Sequence, residues 1–85
     1  MNKATKPSTQ KSARELLAFN LRMLRAERGL TKEELANLAG IDRGYVGQIE
    51  SMARAVSVDI IDRLAHALDV AVVRLFEDRE NRKNR

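Results

Sequence analysis

The stretch from residue 30 to residue 50 constrains this chain most, because its helix start and stop signals are spaced for two short helices. Thr31 and Glu34 have the spacing of a capping box, in which each side chain bonds the other residue's free backbone amide. Gly40 can adopt the left-handed conformation that ends a helix. Asp42 is a good N-cap for a following helix. The stretch therefore predicts a helix, a tight turn and a second helix.

The second helix of this pair, predicted at about 43–51, has two unlike faces. At about 100° per residue, Val46, Ile49 and Glu50 lie on one side. Its outer side carries small or hydrogen-bonding residues and has a cation at the first turn, which fits the major groove of DNA, where base edges present donors and acceptors. We therefore predict three base-reading residues: Arg43, by bidentate bonds to guanine, Gln48, as an adenine or phosphate partner, and Ser51.

Two glycines also fall on the outer side of this predicted helix. Each costs about 1 kcal/mol relative to alanine in a helix interior. One interpretation is that Gly44 and Gly47 shorten the outer face and let the backbone approach the bases. The alternative is that both glycines are simply tolerated and have no role.

With its flanking segments, this stretch resembles the Cro/CI or Xre-type helix-turn-helix DNA-binding family. The resemblance covers about residues 19–76, including 21–25 before the pair and 57–68 after it. The run Asp-Arg-Gly-Tyr-Val at 42–46 is most similar to the small controller proteins of restriction–modification systems. The resemblance implies an all-α, compact five-helix bundle of the lambda-repressor type, which binds double-stranded operator DNA as a homodimer on an inverted repeat.

The resemblance also implies roles for charged residues around the pair. In the family, an arginine at the position of Arg25 bonds a glutamate at the end of the recognition helix, which here is Glu50. The family places a phosphate-contacting side chain at the position of Lys32, in the first turn of a helix where the dipole favours an anion. Arg54 stands where the family is frequently basic, and we expect phosphate contacts from it and from Arg22.

The end of the recognition helix departs from the family pattern. Relatives often have glycine where Met52 stands and proline where Val56 stands, so we expect a longer or reshaped turn. At the other end of that helix, Tyr45 is expected either along the sugar–phosphate backbone of DNA or packed on the neighbouring helix.

The remaining segments predict the elements that flank the two helices of residues 30–50. Ser12 and Glu15 form a second capping box, which starts a first helix. Ser57 caps a fourth helix. We predict a flexible arm at 1–11, the DNA-binding domain at 12–78 and a charged tail at 79–85.

A fifth helix, predicted at about 71–77, is apolar nearly all round and therefore needs a second surface to cover it. We expect Val72, Val73 and Phe76 to pair with a second copy of the chain.

Composition argues against other classes of function. The chain has no cysteine, a single histidine (His66, expected at the surface) and no glycine-rich phosphate loop, so we predict no enzymatic activity, metal, cofactor or small-molecule ligand. No apolar run approaches about 18 residues, so we expect no membrane span and a cytoplasmic location. The net charge of +4 favours a polyanionic partner, although many small proteins are mildly basic. An antitoxin or a phage-type repressor remains an alternative, and RNA polymerase is a candidate further partner.

Overall fold

The computed structural model describes residues 11–79, which form four α-helices and a final 3-10 helix. The predicted tail therefore lies almost wholly outside the described residues, as does the predicted arm. The elements are α1 (Ala13–Glu27), α2 (Lys32–Ala39), α3 (Tyr45–Glu50), α4 (Val58–Leu68) and the C-terminal 3-10 helix (Val72–Phe76). The expected all-α helix-turn-helix fold is confirmed, and the fifth element is a 3-10 helix.

Local capping signals start the helices where the sequence predicts. Each of the two capping boxes is reciprocal, with N···O distances of 2.8 and 3.1 Å between Ser12 and Glu15, and of 2.8 and 3.0 Å between Thr31 and Glu34. Gly40 ends α2 in the left-handed conformation, at φ +70°. These contacts satisfy backbone groups that the ends of a helix leave unpaired.

An aliphatic core holds the helices together. α2 packs on α4 and α3, whereas α1 packs on α3 and on the C-terminal 3-10 helix. Because α3 has only six residues, it is too short to be stable alone, and packing must hold it in place. Its buried residues Val46 and Ile49 join a core that is otherwise made mainly of leucine and alanine. None of the helices described over 11–79 is long and apolar enough to cross a membrane.

The start of α3 differs from the prediction. The helix begins at Tyr45 and not near Arg43, and Asp42 is not its N-cap. Gly44 occupies the cap position at φ −87° and ψ −1°, with no side-chain capping bond. The Tyr45 amide donates to the Asp42 carbonyl over 3.0 Å, which closes a tight turn before the helix. Since glycine is a poor helix former, a turn precedes the helix along the chain, and Arg43 lies in this turn.

A buried asparagine that the sequence analysis missed joins α1 to the C-terminal segment. Asn20 is fully buried on α1. Its amide nitrogen donates to the carbonyls of Leu16 (2.8 Å), Leu75 (3.2 Å) and Glu77 (2.9 Å). The last two bonds satisfy carbonyls at the end of the 3-10 helix, so Asn20 secures that end on the domain.

Candidate nucleic-acid interface

The outward side of α3 and the turn before it make no core contacts. Arg43, Gly44, Gln48 and Ser51 are all exposed. A Cβ atom added to Gly44 would meet no heavy atom within 4 Å, apart from its chain neighbours and the helix's own backbone. The backbone here can therefore be approached closely by a large partner.

Lys32 lies across the second glycine of this face. A Cβ atom added to Gly47 would be 3.6 Å from the Cδ atom of Lys32. The aliphatic part of this α2 side chain therefore runs over α3, and the first turn of α2 shares one surface with the recognition helix. The two glycines thus have different surroundings, because Gly44 is open and Gly47 is covered.

A bidentate ion pair fixes the end of α3 against α1. The Nε and Nη2 atoms of Arg25 donate to the two carboxylate oxygens of Glu50 over 2.8 and 3.1 Å. Nη1 of Arg25 donates to the Leu30 carbonyl over 2.9 Å. The hydrogen bonds to Glu50, which is only 5% exposed, raise the pKa of Arg25 above its ordinary value, and burial opposes this rise. The guanidinium thus joins α1, α3 and the loop before α2.

Arg22 lies at the same end of α3 but nearer to solvent. Its Nη2 atom donates to the Glu50 backbone carbonyl over 3.1 Å, and its Nε atom lies 3.8 Å from a Glu50 carboxylate oxygen. The side chain is 56% exposed. Arg22 therefore satisfies one carbonyl at the end of the helix while the rest of its guanidinium remains open to water or to a phosphate.

Three side chains, two on α3 and one from the turn after it, form a group that we call the Tyr45–Arg54–Gln48 cluster. The guanidinium carbon of Arg54 lies 4.2 Å from the centre of the Tyr45 ring, in the geometry of a cation–π contact. Nη1 of Arg54 donates to Oε1 of Gln48 over 2.8 Å. Tyr45 is half-buried and also packs against the core. Arg54, which is predicted to contact phosphate, therefore also contacts a predicted base-reading side chain.

The turn after α3 brings Arg54 back to this cluster. Met52 adopts the left-handed conformation, at φ +61°, at the position where the family resemblance predicted glycine. The amides of Met52 and Ala53 donate to the carbonyls of Ile49 and Gln48, over 3.0 and 2.8 Å. These bonds form the usual left-handed end of a helix. The chain therefore reverses within two residues, which places Arg54 beside α3.

The surface that is expected to contact a second copy of the chain is only partly exposed to solvent. Val72 and Val73 are exposed, the latter by 65%, whereas Phe76 is half-buried and packs against the domain's own core. Leu75, on the same 3-10 helix, is fully buried. Among the three residues expected to contact a second copy, the two valines are therefore the more available.

Comparisons with known proteins identify the family of this chain. Residues 21–75 match the family described as helix-turn-helix. This chain belongs to that family of transcription regulators. The helix-turn-helix protein is 37% identical over 71 residues to the control protein C.SmaI of Serratia marcescens, covering 84% of this chain and 83% of the relative.

Crystal structures of two similar proteins share the fold of this helix-turn-helix protein. A hypothetical transcription factor from Neisseria superposes with a TM-score of 0.81 at 33% identity, covering 96% of this chain and 98% of the other. The restriction–modification controller protein C.AhdI from Aeromonas hydrophila superposes with a TM-score of 0.71 at 44% identity, covering 74% and 96%.

Proposed function

We propose that this protein is a restriction–modification controller, which binds an inverted-repeat operator as a homodimer. One observation carries the DNA-binding part of the proposal: the outward side of α3 is free of core contacts and is surrounded by cations. They are Arg22, Lys32, Arg43 and Arg54, all exposed. The similarity to C.SmaI and C.AhdI supports the controller role.

In this proposal the residues divide into those that position the domain and those that select bases. Phosphate contacts fix the position and orientation of a protein on DNA, whereas base-edge contacts carry sequence information. We assign positioning to the surrounding cations other than Arg43, with Tyr45 along the sugar–phosphate backbone. Base selection falls to Arg43, Gln48 and Ser51. Because Arg43 lies in the turn before α3, its long side chain is free of the helix and can extend to a guanine.

A second copy of the chain completes the proposed operator complex. One short recognition helix reads only a few base pairs, and two copies about 34 Å apart read an inverted repeat on one face of DNA. The exposed Val72 and Val73 are the proposed contact between the copies. An antitoxin would instead use this apolar surface for a toxin, so a stable homodimer with no toxin partner from the same operon favours the controller role.

Binding measured at several salt concentrations tests the proposal. An operator is first selected from random duplexes, and the affinities for this operator and for an unrelated duplex are then compared. Arg43→Ala should lose about 1–3 kcal/mol on the operator and relax sequence preference. Lys32→Ala should weaken binding to both duplexes alike and reduce the salt slope by about one.

A charge-matched control separates these effects from net charge. Arg74 lies on the 3-10 helix, where it pairs with Glu77 at 3.3 Å. Arg74→Ala should therefore preserve the ratio of operator to unrelated affinity. Equal losses on both duplexes for Arg43→Ala would remove its base-reading role, and a wild-type protein that prefers no duplex would refute the proposed function.

A further inference from the structure

We infer that Arg54 determines which base Gln48 selects, by leaving the glutamine only its amide N–H groups for the DNA. This inference rests on the proposed function and assigns a base preference within it. The evidence is the 2.8 Å bond between Nη1 of Arg54 and the side chain of Gln48. A guanidinium has five N–H donors and no acceptor. The atom of Gln48 that faces it is therefore the carbonyl oxygen, and the amide nitrogen lies on the other side of the group.

Contacts within the protein hold Arg54 in place before any DNA arrives. Its guanidinium lies on the ring of Tyr45, with the guanidinium carbon 4.2 Å from the ring centre. The left-handed Met52 reverses the chain two residues before Arg54. The contact with Gln48 is exposed in the free protein, so water competes with it. A DNA groove would exclude that water, and a charge-assisted hydrogen bond becomes stronger when the local dielectric constant falls.

This arrangement disfavours the usual partner of a glutamine. A bidentate contact to adenine needs the glutamine oxygen to accept from N6 and the glutamine nitrogen to donate to N7. Oε1 of Gln48 keeps a second lone pair, but that lone pair lies beside a full positive charge, which repels the hydrogens of N6. Gln48 then presents only donors to the bases, while Arg54 keeps N–H groups for a phosphate. Guanine is the base with two adjacent major-groove acceptors, O6 and N7, so Gln48 should select guanine.

Selection from random duplexes with five proteins, the wild type and four variants, tests this inference. Selection is carried out at low ionic strength, so that the loss of one cation does not abolish binding. Gln48→Ala identifies the operator position that depends on Gln48, because the wild-type preference for guanine should disappear there. Arg54→Met removes the donor and frees Oε1, so the preferred base at that position should change to adenine. Adenine should be enriched over guanine by at least about fivefold, which is the low end for a bidentate contact.

Gln48→Glu is a second variant that keeps a partner for Arg54. A carboxylate offers only acceptors, and it pairs with the amino group of cytosine. The Gln48-dependent position should therefore change from guanine to cytosine. This change shows that residue 48 reads the base. If Arg54→Met binds too weakly for selection, the wild-type base at this position decides, because guanine follows from the contact with Arg54 and adenine would overturn the inference.

Arg63→Met is the matched control, because it also removes an exposed arginine near the α2–α3 turn. Arg63 lies on α4 and donates to the Gly40 carbonyl over 3.0 Å, and over residues 11–79 it forms no hydrogen bond with Gln48. This variant should keep guanine at the Gln48-dependent position. Adenine at that position in the wild type, or the same base in the wild type and Arg54→Met, would overturn the inference while leaving operator binding intact. A wild type that enriches no sequence would contradict the proposed function itself.

Discussion

Replacing Glu50 with glutamine should destabilise the domain severely although the two side chains have nearly the same shape. The side chain of Glu50 is 4% exposed and that of Arg25 is 16% exposed, so the pair is largely shielded from water. Removing one partner of a buried ion pair costs about 3–5 kcal/mol, because the remaining charge is left uncompensated. The Glu50→Gln variant leaves the positive charge of Arg25 without a compensating carboxylate.

The contacts that remain place the expected loss near the lower limit of this range. Glutamine keeps one carbonyl oxygen that can accept one of the two bonds from Arg25. The guanidinium also keeps its bond to the Leu30 carbonyl at 2.9 Å. We therefore expect a loss of about 3 kcal/mol in the free energy of unfolding. For a domain of this size, each 1 kcal/mol lowers the melting temperature by about 4–8 °C, so the midpoint should fall by roughly 12–24 °C.

Thermal and urea unfolding followed by circular dichroism measures this loss. Arg25→Lys keeps the charge but loses the two-pronged geometry, so its midpoint should lie between those of the wild type and Glu50→Gln. Arg74→Gln is the control, because it removes an ion pair whose arginine is 36% exposed, and solvent screening limits its cost to less than about 1 kcal/mol. An unchanged midpoint for Glu50→Gln would show that the buried pair does not stabilise the domain.

Three further predictions follow from other parts of the structure. Met52→Gly should raise the free energy of unfolding, measured by urea denaturation, by about 1 kcal/mol, because Met52 has φ +61°. Asp69→Gly should raise it less, because aspartate tolerates its φ of +57° better. Equal gains would contradict this reasoning. Asn20→Ala should cost about 2–3 kcal/mol and increase hydrogen exchange in the 3-10 helix, as carbonyls there lose their donor; unchanged exchange would count against that role. Val73→Asp should convert a homodimer to monomers in sedimentation experiments without loss of helix content, and an intact dimer would exclude this valine from the contact.

The elements that depend on local signals could be predicted from the sequence. Both capping boxes and the glycine that ends α2 involve residues within a few positions of one another, and all are present. The predicted start of α3, near Arg43, was wrong because two local signals conflicted there. Asp42 favours a cap, but Gly44 disfavours the helix that the cap would start, and the structure forms a turn.

The contacts that join distant parts of the chain could not be predicted in the same way. Asn20 bonds carbonyls 55 and 57 residues away, and an asparagine inside a helix gives no signal of such partners. The contact between Arg54 and Gln48 depends on how the chain reverses at Met52. The expectation of a longer or reshaped turn was wrong, because Met52 itself adopts the left-handed conformation and the helix ends in the usual way. The sequence did not show which side chain this turn would bring to α3.

The separation of the two sides of α3 has a consequence for evolution. Val46, Ile49 and Glu50 hold the helix in the domain, whereas its exposed residues have no part in that core. Mutations on the exposed side can therefore accumulate at little cost in stability. Under the proposed function, duplicated copies of such a gene can diverge in the DNA sequence that their products prefer while both products keep the same fold.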